Sequence, residues 1–518
     1  MNRIPRSRAL TRAPIFVGLA ALFMILCVAT SHAHSFVRST HPKDGSNLRK
    51  PPSVVSIRFN ESVELAFGGI QVFDPSGRRV DRGNTEYVAR DRKVIRTQLE
   101  ADLANGTYVV RWRIVAADGH PRRGQFDFRL AQSPPPSLTP GSDAEEPREE
   151  ERGTAAPGAD MGDEGGMWTG VLPNTLLGIT RWAIFAGLLL LVGLGGFALL
   201  VWRRTGGLSR SPWVNRVFYR RSAVLMRVAL GVAIVGSLAS IPVQGAIAAD
   251  VRLRQAFSGD ILRAVFDTRF GELVLVRSGL LLVFAAVLLP WRTVAERQIF
   301  AAATARQDLG AAAVRPAEPR IAVGLFALLG VAVLATVSFG GHAGTTEPVP
   351  LNMTADVLHL AGAAVWLGGL VGLVAVALPA TRSLEEGERV RVAAPVVSRF
   401  SDLAFIAVAV IALSGAFRAW IEIRTLEGLT GYAYGLTLLG KLAVVVPLLA
   451  LGAINRQWTK PRLTRAAAAG DASPGSAPLR TLRRLVLIEV VLAAVVLAVT
   501  AALVELPPPT AGPGGEHT

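Results

Sequence analysis

Two hydrophobic patterns divide the chain. Between residues 34 and 131, apolar and polar positions alternate with period two in several short runs, whereas beyond about 174 apolar residues follow one another in long runs. Alternation puts successive side chains on opposite faces of a strand. Val55, Ile57 and Phe59 share one face of one run; Tyr108, Val110, Trp112 and Ile114 share a face of another; Phe126, Phe128 and Leu130 make a third. Turn signals separate the runs at Asp44-Gly45, Pro75-Ser76-Gly77, Asn105-Gly106 and Asp118-Gly119. Several short strands in about a hundred residues predict a two-sheet sandwich. The later runs, near 174–201, 223–248, 273–290, 321–340, 354–378, 402–421, 435–454 and 485–504, are each long enough to fill a hydrocarbon core about 30 Å thick, which predicts eight transmembrane helices.

The segments outside these two regions read differently. Arg3, Arg6, Arg8 and Arg12 precede the apolar stretch from Phe16 to Ala29, and Ser31 and Ala33 place small residues at a cleavage site. Residues 1–33 are therefore expected to be a secretory signal, whose removal makes His34 the first residue of the mature chain. From 132 to 166 the composition shifts to Pro, Gly, Ser, Asp and Glu, with Glu145, Glu146, Glu149, Glu150 and Glu151 clustered. That stretch cannot bury a core and is expected to be a disordered acidic tether. The membrane domain is then expected over 167–505, with 506–518 as a disordered tail.

Charge sharpens this picture. The 518 residues are 51% apolar and 18% charged, with 55 Lys and Arg against 39 Asp and Glu, a net charge of +16. In a soluble protein such an excess would suggest nucleic acid, but its distribution argues otherwise. The connections 203–221, 291–320, 379–400 and 455–484 hold 22 Lys or Arg, whereas 249–272, 341–353, 422–434 and the tail from 505 hold 5. Export of residue 34 makes the first span run outward to inward, which puts the basic set on the cytoplasmic side of a bacterial cytoplasmic membrane, as the positive-inside rule requires. The lipid bilayer is thus the expected partner and nucleic acid is not. The single cysteine, Cys27, lies in the leader, so neither a thiolate site nor a disulfide framework is expected in the mature chain.

The exported region carries candidate metal chemistry in Ala117-Asp118-Gly119-His120-Pro121. If extended, Asp118 and His120 project from the same face, offering a carboxylate and an imidazole. An exposed His34 adds its terminal amine and its ring. Three nitrogens and one oxygen in a tetragonal array suit Cu(II). His41 precedes a proline and reads as structural or exposed.

His34-Ser35-Phe36, Ser39-Thr40-His41-Pro42-Lys43-Asp44-Gly45-Ser46, Arg58-Phe59-Asn60-Glu61-Ser62-Val63 and Gly106-Thr107-Tyr108-Val109-Val110-Arg111-Trp112, followed by Asp118-Gly119-His120-Pro121, resemble the CopC family of exported copper-binding proteins. The resemblance implies a cupredoxin/Ig-like all-β sandwich and Cu(II) held by His34, Asp118 and His120. Residues 34–131 contain no methionine, so the family's Met-rich Cu(I) site does not carry over. The membrane half over about 320–505 resembles the CopD family through Gly341-His342-Ala343, Asp356-Val357-Leu358-His359, Ala364-Val365-Trp366-Leu367-Gly368-Gly369 and Arg399-Phe400-Ser401. Spans one to three match it by pattern only. The expected fold class is an all-β sandwich followed by an all-α polytopic membrane domain with eight helices.

Within the membrane half, ionisable groups carry a functional prior. Asp356 and His359 are three apart on one helix face, where a carboxylate can orient an imidazole. With His342 and Met353 they make a candidate copper relay in the outer third of the membrane. Lys441 and Glu489 are expected to form a structural ion pair, and Arg181, Arg227 and Arg277 to snorkel. The leading reading is a copper-handling membrane protein, not an enzyme, whose exported domain captures Cu(II) and whose helices move copper, inward by the layout. Neither a phosphate-binding loop nor Cys-x-x-Cys is present, which argues against an ATP-driven pump. Two other classes remain open: a membrane redox protein, with haem on His342 and His359 or a copper brace at His34, and an extracytoplasmic copper buffer without transport.

Overall fold

The computed structural model describes residues 37–89, 91–116, 119, 121–131, 171–205, 212–288, 320–344, 348–469, 476–506 and 509. The expected leader and linker lie outside them. Two compact units are present.

The first unit is the sandwich. Its strands are β1 (Val37–His41), β2 (Ser46–Leu48), β3 (Val54–Phe59), β4 (Val63–Glu64), β5 (Ile70–Phe73), β6 (Glu86–Val88), β7 (Asp91–Gln98), β8 (Gly106–Ala116) and β9 (Pro121–Leu130). One sheet runs β1-β3-β7-β6; the other runs β2-β9-β8-β4, with β5 also paired to β8. Alternation dictates the packing. Val55, Ile57, Phe59, Tyr108, Val110, Ile114, Phe126, Phe128 and Leu130 all point inward and join one core. Trp112 is half-buried and meets Phe59 edge to face, with ring centroids 5.3 Å apart. Its indole lies over Gly124, where a Cβ would sit 2.5 Å from Cζ2. The predicted turn at Pro75-Ser76-Gly77 forms around Asp74, whose carboxylate accepts from the amides of Ser76 and Arg78, each at 2.9 Å. Gly77 there adopts φ +81°, which a side chain would oppose. His41 is exposed at the end of β1.

The second unit is a helical bundle. Its long helices are α1 (Val171–Gly196), α2 (Pro212–Ala249), α3 (Arg269–Leu288), α4 (Arg320–Phe339), α5 (Val349–Val371), α6 (Glu386–Ile423), α7 (Ala433–Ile454) and α8 (Ser476–Leu503). They match the eight predicted spans one for one. Among the described residues seven helical segments are long and apolar enough to cross a membrane, and Val323–Phe339 within α4 is a shorter apolar one. The sequence pattern placed helix boundaries at the hydrocarbon edge, but α2 and α6 have 38 residues each. Their polar first turns continue the helix because its backbone bonds are satisfied internally whether or not lipid surrounds them. Leu506, assigned to the tail by pattern, is buried against Ile423, Tyr434 and Leu503.

Small residues set the closest helix approach. A Cβ on Gly193 of α1 would collide with the Ala364 carbonyl and with Gly368 of α5, and one on Gly369 would strike the Phe400 ring of α6. The Ala364–Gly369 and Arg399–Ser401 motifs thus fit each other as a packing seam of the small-xxx-small kind. Arg399 itself donates from Nε to the Leu200 carbonyl at 2.6 Å.

Candidate functional site

His34, Asp118 and His120 lie outside the described residues, but their flanks do not. β8 ends at Ala116 and β9 begins at Pro121, with Val115 opposite Pro121. Ala116 pairs with Val63, and Val37 pairs with Phe59. Phe59 and Val63 are four positions apart, so Val37 and Ala116 lie at the same end of the sandwich. The chain on either side of the expected copper site therefore leads to that one end. Among the described residues no group of three or more His, Cys, Asp or Glu side chains is placed to hold a metal.

The membrane unit brings other polar groups together. Asp356 and His359 project from α5, with Met353, half-buried, one turn before Asp356. Asp356 accepts from Ser338 Oγ of α4 at 2.6 Å and from Arg418 Nη1 of α6. Arg418 also donates from Nη2 to Glu422 Oε1 at 2.7 Å, and Tyr434 of α7 donates its hydroxyl to Glu422. One guanidinium fork thus spans two buried carboxylates, a geometry that a lysine ammonium cannot reproduce. Lys441 of α7 lies within electrostatic range of Arg418, Asp356 and Glu422. Two cations face two anions, so the group is charge-balanced.

His359 adjoins this group and is held from α6. Its Nδ1 is 3.1 Å from the Ile411 carbonyl and 3.2 Å from Ser414 Oγ. Ser414 Oγ already donates to the Val410 carbonyl at 2.6 Å, and a carbonyl only accepts. Nδ1 therefore carries the proton and Nε2 keeps its lone pair, the tautomer that ligates metals. Gly415 leaves room for the ring, since a Cβ there would stand 3.1 Å from His359 Cε1.

Three expectations are corrected. Asp356 does not orient His359: its oxygens serve Ser338 and Arg418, and α6 orients the imidazole. Lys441 and Glu489 do not pair. Glu489 accepts instead from Asn455 Nδ2, a residue about 21 Å further along the α7 axis than Lys441. Arg277 does not snorkel; it is buried and donates to Thr336 Oγ1 at 3.0 Å and to the Thr336 carbonyl at 3.2 Å. Arg181 pairs with Glu505 at 2.9 Å, and Arg227 bonds the Ala223 carbonyl at 3.0 Å. His342 falls in a one-turn helix, His342–Gly344, and its side chain lies outside the described residues. Sequence reasoning missed Arg418, Glu422 and Tyr434. The rule that flagged Lys441 applies equally to Arg418, which stands inside the sixth apolar run.

Comparison with known proteins covers both units. Residues 37–131 match the CopC domain family, 172–314 match the N-terminal domain of copper resistance protein D-like proteins, and 394–503 match copper resistance protein D. The family signal thus reaches the first three spans, where pattern alone had been legible, while Asp356 and His359 fall between the two membrane matches. The copper transport protein CutJ of Bacillus subtilis is 28% identical over 440 residues, 85% of this chain and 70% of that protein. Copper resistance protein D of Pseudomonas syringae pv. tomato is 30% identical over 165 residues, 31% of this chain and 53% of that one. Among solved structures, CopC from Methylosinus trichosporium OB3b matches over its whole length and 20% of this chain, at 27% identity and a TM-score of 0.19.

Proposed function

Because this chain joins a CopC domain to copper resistance protein D domains in one polypeptide, we propose that it takes up Cu(II) on its exported domain and moves copper inward across the cytoplasmic membrane. The domain pairing is the observation that carries this reading. Copper is the cargo here, and His34, Asp118 and His120 are its proposed outer ligands. Cleavage after Ala33 would expose the amine and ring of His34 together. Its terminal amine has an ordinary pKa of about 7.7–8.0, low enough for a metal to displace the proton near neutrality.

Within the membrane, His359 is the proposed ligand, presenting Nε2 from a ring anchored at Nδ1. Met353 offers a soft thioether one helical turn before Asp356, a donor suited to Cu(I), and His342 completes the proposed relay. Asp356 takes a different part from that of a ligand: with Glu422 it balances Arg418 and Lys441, so that a cation near His359 meets no net positive charge. The excess of Lys and Arg in alternate connections supports an orientation with the exported domain outside.

The test is cellular copper in low-copper medium, comparing the intact protein with His120→Ala and His359→Ala. Import through both sites predicts higher copper with the intact protein and loss of the gain in each variant. Lower copper with the intact protein would mean export. No difference, with copper binding retained by the exported domain, would mean an extracytoplasmic buffer.

A further inference from the structure

Three carboxyl groups are buried among the described residues of the helical unit: Asp356, Glu422 and Glu489. Asp356 and Glu422 share the Arg418 fork. Glu489 differs from both. It stands in mid-helix on α8 and is 2% exposed. Among the described residues its hydrogen-bond partner is Asn455, whose Nδ2 donates to Oε1, and no cation pairs with it. A carboxylate without a cation is costly to keep ionised in a low-dielectric interior. The neutral acid avoids that cost. It keeps the Asn455 bond through its carbonyl oxygen and carries a proton on the other oxygen.

A proton there has a way in and out. Glu489 lines a cavity of about 450 Å³ between α5, α6, α7 and α8, at the opposite end of α7 from the charged group. Whereas Asn455 Oδ1 is sealed off, Glu489 Oε2 retains accessible surface. Arg456, Gln457 and Lys460 line the same cavity, and Gln457 is exposed. Arg456 Nη1 and Lys460 Nζ donate to the Asp402 carboxylate at 3.0 Å and 2.9 Å. That carboxylate is 56% exposed, so it offsets one of the two cations at the edge of the cavity and meets water. From α5, its continuation and α6 the lining is apolar apart from the Ser401 hydroxyl. On α8 itself the nearest charges are Arg483 and Arg484, five or more positions before Glu489. Two wide helical turns border the cavity, Gly372–Ala377 after α5 and Asn455–Thr459 after α7, and such turns recur at functional sites.

We propose that Glu489 is a proton-binding site of the helical unit, loaded and unloaded through this cavity. The proton sits on Oε2 and passes between that oxygen and water entering the cavity past Arg456, Gln457 and Lys460; only the O–H bond is made and broken. Asp356 and Glu422 keep their charge because Arg418 compensates it, whereas Glu489 changes the charge of the bundle interior by one when its proton leaves. The site stands independently of the direction in which copper moves.

The test is infrared difference spectroscopy on the full-length protein in detergent, titrated from mildly acidic to alkaline pH. A carboxylic-acid carbonyl band is expected at the acid end and should be lost as pH rises. Glu489→Gln, which keeps an acceptor for Asn455 and stays neutral, should lack that band. Gly452→Trp tests the route with Glu489 in place: Gly452 lines the cavity, and a Cβ there meets nothing within 4 Å. On transfer to heavy water its band should shift at least tenfold more slowly than in the intact protein. A band unchanged in Glu489→Gln, or one that does not respond to pH, would overturn the proton site. Equal shift rates in Gly452→Trp and the intact protein would overturn the cavity as its route.

Discussion

Replacing Arg418 with leucine should destabilise the membrane unit more than any other single change in its polar group. The side chains of Asp356 and Glu422 are 12% and 7% exposed, and both accept from the one guanidinium, which with Lys441 balances their charge. Its removal strands two carboxylates away from water. Breaking a buried ion pair by deleting one partner costs about 3–5 kcal/mol, because the remaining charge is left uncompensated. Arg418→Lys keeps the charge but reaches one carboxylate at a time, and should cost about 1.5–3 kcal/mol, the worth of a hydrogen bond to a charged group. The double variant Arg418→Leu, Asp356→Asn leaves Lys441 facing Glu422 with no excess charge and should recover most of the loss, giving a large coupling energy in the mutant cycle. Reversible unfolding of the purified protein in mixed micelles measures all three. If Arg418→Leu falls within about 0.5 kcal/mol of the parent, as an ordinary surface substitution would, or if the double variant is no better than the single one, the charge-balance argument fails.

Gly415→Val should lower copper accumulation by displacing the His359 ring, which a Cβ would approach to 3.1 Å, whereas Gly440→Val, whose Cβ meets nothing within 4 Å, should not; equal accumulation in the two would refute the placement of the ring. In the sandwich, Asp81 accepts from the Val72 amide at 2.8 Å and from Arg79 Nη2 at 2.7 Å. Burial pushes its carboxyl up, but the Arg79 fork and the amides of Val72 and Gly83 outweigh that and hold it below its ordinary value. Its contribution is therefore present above the unfolded pKa of about 3.9 and lost as pH falls through the lower folded value, so the stability gap to Asp81→Asn should narrow between about pH 6 and about pH 2. A gap that stays constant in acid denaturation curves of the domain would contradict this. Gly124→Ala should cost about 1–3 kcal/mol by overpacking Trp112 and should change the near-ultraviolet circular dichroism of that indole; an unchanged spectrum and stability would show that the ring moves freely.

The sandwich was legible because period-two alternation and turn chemistry are local, and each inward-facing triplet, such as Val55, Ile57 and Phe59, reports its own face. The eight helices were legible because hydrocarbon thickness sets their length. What escaped was three-dimensional partnering. Asp356 and His359 are neighbours on one helix, yet each found its partner on another, because the Arg418 fork and the Ile411 carbonyl come from α6. Lys441 and Glu489 looked like a pair only while their depths along α7 and α8 were unknown. Gly368 and Gly369 stood out as motif residues, but their packing against Gly193 and Phe400 is visible only once the helices are assembled.

The central claim is that copper passes His359 on its way inward. Copper entry into proteoliposomes with the exported domain facing outward, for the intact protein and for His359→Ala, tests it most directly. The account predicts accumulation in the lumen with the intact protein and at least a tenfold slower rate in the variant, with copper binding by the exported domain unchanged. Equal rates, or copper leaving vesicles of that orientation, would contradict it.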